Sequence, residues 1–223
     1  MGHRRRFLIT GTGAGVGKTT VGCALGFALR ARGMRVGVMK PVETGCAEID
    51  GALAPRDADA LALAVGSVAP LDLICPYRYR STLAPAAAAA IDRLPPPELE
   101  NIARCFGEIA ADNDAMLVES AGAITAPLTR DSDFADLAAM LGLEVIVVAG
   151  NRSGCVDATM LTIQRCESRE LKVAGCILCD CDPAASSETE ANEALLMRIA
   201  KAPYLGRMRH REPLARAIVE KLI

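Results

Sequence analysis

Apolar residues in this chain fall in short unbroken runs, and amphipathic stretches lie between them. The runs at 7–12, 35–40, 115–119, 144–149 and 173–179 are rich in β-branched and aliphatic residues, and each stops at Gly, Pro or a charge. They predict strands. Apolar spacing near 3.6 residues predicts helices over 18–32 (closed by Gly33), 57–65, 98–112, 135–141, 157–167, 188–199 and 213–222. Strands that are apolar throughout, rather than at alternate positions, are covered on both faces. Their alternation with helices predicts an α/β fold, a single doubly wound, mainly parallel sheet with helices on both faces. We find no internal repeat and no linker, so residues 1–223 are read as one domain. Pro95, Pro96 and Pro97 read as a local spacer before a helix, and the alanines at 86–90 as helix-forming composition without chemistry.

Charge and composition narrow the classes of function. With 25 Lys+Arg against 27 Asp+Glu the net charge is −2, which gives no footprint for nucleic acid. An apolar content of 51% with so little net charge argues against long disorder. No run approaches a membrane span, and Phe7-Leu8-Ile9 is too short for a secretory core behind its basic start, so the reading is a cytoplasmic protein. The segment 213–222 is amphipathic with only Arg216 and Lys221 as basic residues, which favours a helix docked on the sheet over one lying on a membrane. Nine cysteines and two histidines are present. Cys176 and Cys179 make a C-x-x-C, but no second Cys/His pair stands at metal-finger spacing, so Cys176, Cys179 and Cys181 read as a strand and its exit. With only His3 and His210 available, catalysis by a histidine-activated nucleophile is disfavoured.

The chemistry begins at Gly11-Thr-Gly-Ala-Gly-Val-Gly17-Lys18-Thr19, between the first strand and the first helix. Glycines let backbone N–H groups converge on phosphate, and the helix N-terminus adds positive potential. Gly13, Ala14, Gly15, Val16, Gly17, Lys18, Thr19 and Thr20 therefore form a candidate phosphate cradle of the P-loop type. Lys18 can reach the terminal phosphates and the Thr19 hydroxyl can hold Mg²⁺. Glycine stands at position 11, one place earlier than the strict pattern requires. Glu119 closes a buried strand at the carboxyl edge of the sheet, where ligands of such folds bind, and Ser120, Ala121 and Gly122 follow it. Two aspartates open the helix at 57–65; Asp57 reads as the N-terminal cap and Asp59 as the metal candidate. Lys40, before Pro41 at the same edge, is a candidate second cation over transferring phosphoryl charge, with the Thr44 hydroxyl nearby.

These segments together resemble the dethiobiotin synthetase family, ATP-dependent carboxylases and cyclo-ligases of biotin synthesis. The resemblance runs through the phosphate loop with its extra spacing residue, Met39–Gly45 (MKPVETG), Arg56–Leu63 (RDADALAL), Leu83–Ala89, Val118–Ala123 (VESAGA) and Gly150–Thr162. It implies a P-loop α/β fold. It also implies Lys40 and Lys18 as catalytic cations, Thr19, Asp59 and Glu119 as Mg²⁺ ligands, and Lys40, Thr44 and Pro85 on the side of the substrate, 7,8-diaminononanoate. The nucleotide would further touch Ser120, Ala121, Gly122, Cys179 and Asp180. The substrate carboxylate would meet Gly154, Cys155, Val156 and Asp157 of a partner subunit, so a homodimer is implied.

Departures from the family pattern are Ala14-Gly15 where Thr-Glu is frequent, Ser120 for glycine, Asp157 where Asn is often found, and Cys179 where a base-reading Asn is common. The later segment 207–211 reads as an unusually basic loop. The alternatives are a partitioning or septum-type P-loop ATPase switch, whose signature lysine would fall on Gly13, and a diverged synthetase for another small diamine. An amidotransferase-bearing synthetase does not fit in this length.

Overall fold

The structure is a computed structural model that describes residues 5–181, 187–210, 212, 214 and 216–222. In chain order the elements are β1 (Arg5–Gly11), α1 (Lys18–Arg30), β2 (Val36–Met39), β3 (Val42–Thr44), β4 (Ala47–Ile49), β5 (Ala52–Ala54), α2 (Arg56–Val65), α3 (Leu71–Ile74), β6 (Tyr77–Tyr79), α4 (Pro85–Asp92) and α5 (Leu99–Ala111). There follow β7 (Ala115–Ala123), α6 (Phe134–Leu141), β8 (Glu144–Gly150), α7 (Cys155–Ser168), β9 (Val173–Cys179), α8 (Ser187–Ile199), β10 (Tyr204–Met208) and α9 (Arg216–Glu220).

Six strands form one sheet in the order β10-β9-β8-β1-β7-β2, and every neighbouring pair is parallel. Helices pack on both sides of it. The unbroken apolar runs explain this, because Phe7–Gly11 and Val145–Gly150 are buried at every position and leave no solvent face. β1 lies in the interior of the sheet, between β8 and β7, so its carboxyl end opens beside those of both neighbours. Among the described residues no helix is long and apolar enough to cross a membrane.

One close approach positions the site. A methyl group added at Gly22 would lie 2.8 Å from Leu61 Cδ2, and one at Gly26 would lie 2.5 Å from Val65 Cγ1. The two glycines, one helical turn apart on α1, thus let α2 lie directly on it. Filling that contact would force strain of about 1–3 kcal/mol per site.

Several boundaries and elements differ from the reading of the sequence. α1 stops at Arg30 because residues 31–33 turn back on the last helical carbonyls. α7 starts two residues early, at Cys155, after Gly154 with φ 78°. Of the basic segment expected as a loop at 207–211, residues 207 and 208 belong to the sheet instead, since β10 runs through Met208 with Arg207 paired inside the fold; residues 209 and 210 lie beyond the strand and residue 211 lies outside the described residues. Of the helix expected at 213–222, Arg216–Glu220 is helical, while residues 211, 213, 215 and 223 lie outside the described residues. Pro97 precedes the N-cap Glu98 of α5, and it is Pro85 that opens a helix, the one containing the alanine run. β3, β6, β4, β5 and α3 were not foreseen. The β4–β5 hairpin did carry a signal, because Asp50-Gly51 supply the two positive φ values (51° and 79°) of a tight two-residue turn.

Candidate active site

The phosphate loop spans the gap between β1 and α1. Gly17 caps α1 at φ 92°, and no side chain caps the helix, so the first-turn N–H groups face the loop. A methyl group at Gly17 would come within 2.4 Å of Cys179 Sγ, so the loop rests on the end of β9. Buried Lys18 folds back and its Nζ donates to Gly13 O at 2.8 Å, closing the ring of the loop. Burial lowers the Lys18 pKa, and the Lys40 charge lowers it further.

Four elements bring a knot of charge to the rim. Lys40 lies one residue beyond β2, is 3% exposed, and its Nζ donates to Glu119 Oε1 at 2.5 Å and to Asp57 Oδ2 at 2.9 Å. Thr19 of α1 donates from Oγ1 to the same Glu119 Oε1 at 2.8 Å. Glu119 comes from β7, which pairs with both β1 and β2, so the register of the sheet sets this meeting. Burial works to lower the Lys40 pKa, but Glu119 and Asp57 outweigh it and hold the ammonium above the usual lysine range. For Asp57, burial works upward and Lys40 outweighs it, so the carboxyl lies below its usual value.

The choice between the two aspartates is thereby reversed. Asp59 is exposed on α2 and does not line the cavity, because two residues along a helix turn the side chain to another face. Asp57 occupies the position expected of Asp59. Nor does Asp57 cap its helix: the first-turn N–H groups of Asp57 and Ala58 donate to Glu43 Oε1 and Oε2, each at 3.0 Å. Glu43 is buried, and burial raises its pKa. The sequence contains no signal for it beyond a lone acidic residue between Lys40 and Thr44.

A cavity of about 710 Å³ collects most of the expected residues: Ala14 to Thr20, Lys40, Thr44, Glu119, Ala121, Gly122, Cys179 and Asp180. Glu43, Asp57, Cys181 and Met208 to His210 join them. Gly13 contributes the carbonyl held by Lys18. Ser120 lies beneath the surface, its hydroxyl bonded to Gly122 O and to the Thr10 hydroxyl, so a side chain fills the place of the missing glycine. Pro85 is buried at the start of α4 and does not line the cavity; Gly154, Cys155, Val156 and Asp157 stand at the start of α7, also outside its lining. At the far end Asp180 accepts from Asn151 Nδ2 (2.7 Å) and Arg207 Nε (2.9 Å), a pairing that the basic-loop reading missed.

Thr19, Asp57 and Glu119 present hard oxygen donors of the kind that suits a small divalent cation, and buried Glu119 Oε2 has no hydrogen-bond partner. Among the described residues no group of three or more His, Cys, Asp or Glu is arranged to hold a metal, and the Cys176/Cys179/Cys181 segment is the end of β9 and its exit. Substitution separates the two aspartates. Asp57→Asn should raise the Mg²⁺ concentration needed for half-maximal nucleotide turnover several-fold, whereas Asp59→Asn should leave the titration unchanged.

The chain has relatives of known name. A family described as AAA domain matches residues 5–217. A protein from Anaeromyxobacter dehalogenans (strain 2CP-C) named ATP-dependent dethiobiotin synthetase BioD is 41% identical over 211 residues, covering 95% of this chain and 88% of that one. A protein of the same name from Anaeromyxobacter sp. (strain Fw109-5) is 38% identical, covering 92% and 90%. Among solved structures, the MinD cell division protein of Aquifex aeolicus shares the fold with a TM-score of 0.57 at 15% identity, covering 98% of this chain and 94% of that one. A ParA family ATPase from Chlorobium tepidum TLS does so with a TM-score of 0.55 at 16% identity, covering 98% and 89%.

Proposed function

This chain belongs to the ATP-dependent dethiobiotin synthetase family, a family of ligases, and from that premise we propose that it closes the ureido ring of dethiobiotin from 7,8-diaminononanoate, CO₂ and ATP. The observation that carries the reading is the buried Lys40 ammonium, held between Glu119 and Asp57 on the rim of the cavity that the phosphate loop enters. A cation buried so deeply at a phosphate site suits a reaction that builds negative charge there. The likeness to ParA and MinD is one of fold alone, at 15–16% identity, and lends no weight to a switch ATPase.

In this reading one substrate amine adds to CO₂ and loses a proton, giving a carbamate. A carbamate oxygen attacks the γ-phosphorus of ATP and ADP leaves. The neighbouring amine then attacks the carbonyl of the mixed anhydride, the C–O bond to phosphate breaks, and the cyclic urea closes. Lys18 and Lys40 neutralise charge on the transferring group, while the backbone N–H groups of the loop from Gly13 to Thr20 orient the phosphates. Because the carbamate is itself the acceptor, no enzymic nucleophile is needed, in keeping with a site without a histidine pair. Thr19, Asp57 and Glu119 would hold a divalent ion, Mg²⁺ in this proposal, which supplies neutralisation of phosphate oxygens. Thr44 would bond the diamine end, with Pro85 behind it. The tail carboxylate would meet the N-terminus of α7, at Gly154 to Asp157, of a second copy in a homodimer.

Purified protein given bicarbonate, 7,8-diaminononanoate and Mg-ATP should yield dethiobiotin and phosphate in equal amounts by mass spectrometry and phosphate assay. Running ATP, GTP, CTP and UTP in parallel tests the base preference, which Cys179 would help to set in this reading. Nucleotide binding without ring closure with any of the four would overturn the substrate assignment.

A further inference from the structure

We infer that Glu43 is a positioning residue that sets the reach of Asp57 to Lys40, acting through the first turn of α2. The inference rests on the function proposed above for what turnover means, but its geometry does not. α2 begins after Pro55, which offers no side-chain acceptor to the helix. The N–H groups of its second and third residues, Asp57 and Ala58, would otherwise lack partners, as first-turn donors do. Both are met from outside the helix, one by each oxygen of the Glu43 carboxylate at 3.0 Å. The acceptor is 6% exposed and comes from β3, the strand that follows Lys40-Pro41 directly. Its negative charge also faces the positive end of the helix. Lys40 and the clamp on Asp57 are therefore carried three residues apart on one stretch of backbone. The carboxylate of Asp57 then returns to Lys40 Nζ at 2.9 Å, closing a loop of contacts from Lys40 through Glu43 and α2 back to Lys40. A glutamine at position 43 keeps the shape but turns one acceptor into a donor that faces an N–H group, so one clamp is lost.

The test is a double-mutant cycle with Glu43→Gln and Asp57→Ala. Glu43→Gln should lower kcat for ring closure about tenfold and raise the Mg²⁺ requirement several-fold, with KM for the nucleotide within about twofold. In the Asp57→Ala background the same substitution should change kcat by less than twofold, because the group it positions is gone. A full tenfold loss in that background would overturn the proposal, as it would show Glu43 acting without Asp57. Amide hydrogen exchange of the unmodified protein gives a second readout: the Asp57 and Ala58 N–H groups should be protected although they begin a helix, and rapid exchange of both would also overturn it. If no dethiobiotin forms even in the unmodified protein, the substrate assignment fails. The cycle is then read on the Mg²⁺ concentration that half-maximal nucleotide binding requires, which Glu43→Gln should raise several-fold in the unmodified background and by less than twofold beside Asp57→Ala.

Discussion

Lys40→Ala should reduce ring closure by about 10²–10³-fold, the usual loss when a preorganised charge facing the developing oxyanion is removed. Nucleotide affinity should change far less, because the loop backbone and Lys18 lie on other elements. Steady-state kinetics beside calorimetric titration with Mg-ATP separate the two, and activity within tenfold of normal would refute the role. The substitution should also cost about 3–5 kcal/mol of stability, since it strands Glu119 (1% exposed) and Asp57 without their counter-charge. The pH dependence has a definite sign. With Lys40 present, Asp57 ionises below its ordinary value, so its contribution is in place above about pH 4 and fades as pH falls through its lowered value. The Lys40 contribution is in place below about pH 10 and is lost only as pH rises through its raised value. Without the ammonium, burial disfavours the charged form of Asp57, and its protonation relieves the variant. The gap in melting temperature between the two proteins should therefore be widest near neutrality and narrow as pH falls toward 4.5; a gap that widens in acid would contradict the charge knot.

Gly17→Ala should weaken nucleotide binding about 10²-fold. A left-handed φ of 92° costs a residue with a Cβ about 1–2 kcal/mol, and the methyl group meets Cys179 Sγ at 2.4 Å. The loop relieves both by moving off β9, which takes its N–H groups away from the phosphates. Adding Cys179→Ala removes the sulfur, and affinity should recover by the share due to the clash, leaving the backbone share. Titration with Mg-ADP measures each step. Unchanged binding in Gly17→Ala would mean that the loop does not depend on this contact.

Most of the sheet could be read from the chain because parallel strands buried on both faces leave unbroken apolar runs, as at 173–179, where expectation and structure agree residue for residue. β10 was hidden because Gly206 and Arg207 break its short run, and the partner that makes Arg207 acceptable in a sheet, Asp180, lies 27 residues away. β3 and β6 are three residues each, too short for periodicity to register. At the site, Lys18, Thr19 and Lys40 were legible because each stands just past a strand or at a helix start, and Glu119 because it is the charge that interrupts an apolar run, although β7 does not end there and continues to Ala123. The aspartates were not: which one faces the rim depends on the rotation of α2, and that is set by Gly22 and Gly26 beneath it and by Glu43 at its end. No local pattern encodes a helix rotation.

The contacts that tie Glu119 to Lys40 and to Thr19 join residues 79 and 100 positions apart in the chain. Closing spans of that size is entropically costly, and until the middle of the sheet has zipped the three groups keep their own hydration. By that cost the charged cluster should form late, as a latch rather than a nucleus: aliphatic strands drive collapse, and substitution of Lys40 should speed unfolding more than it slows folding.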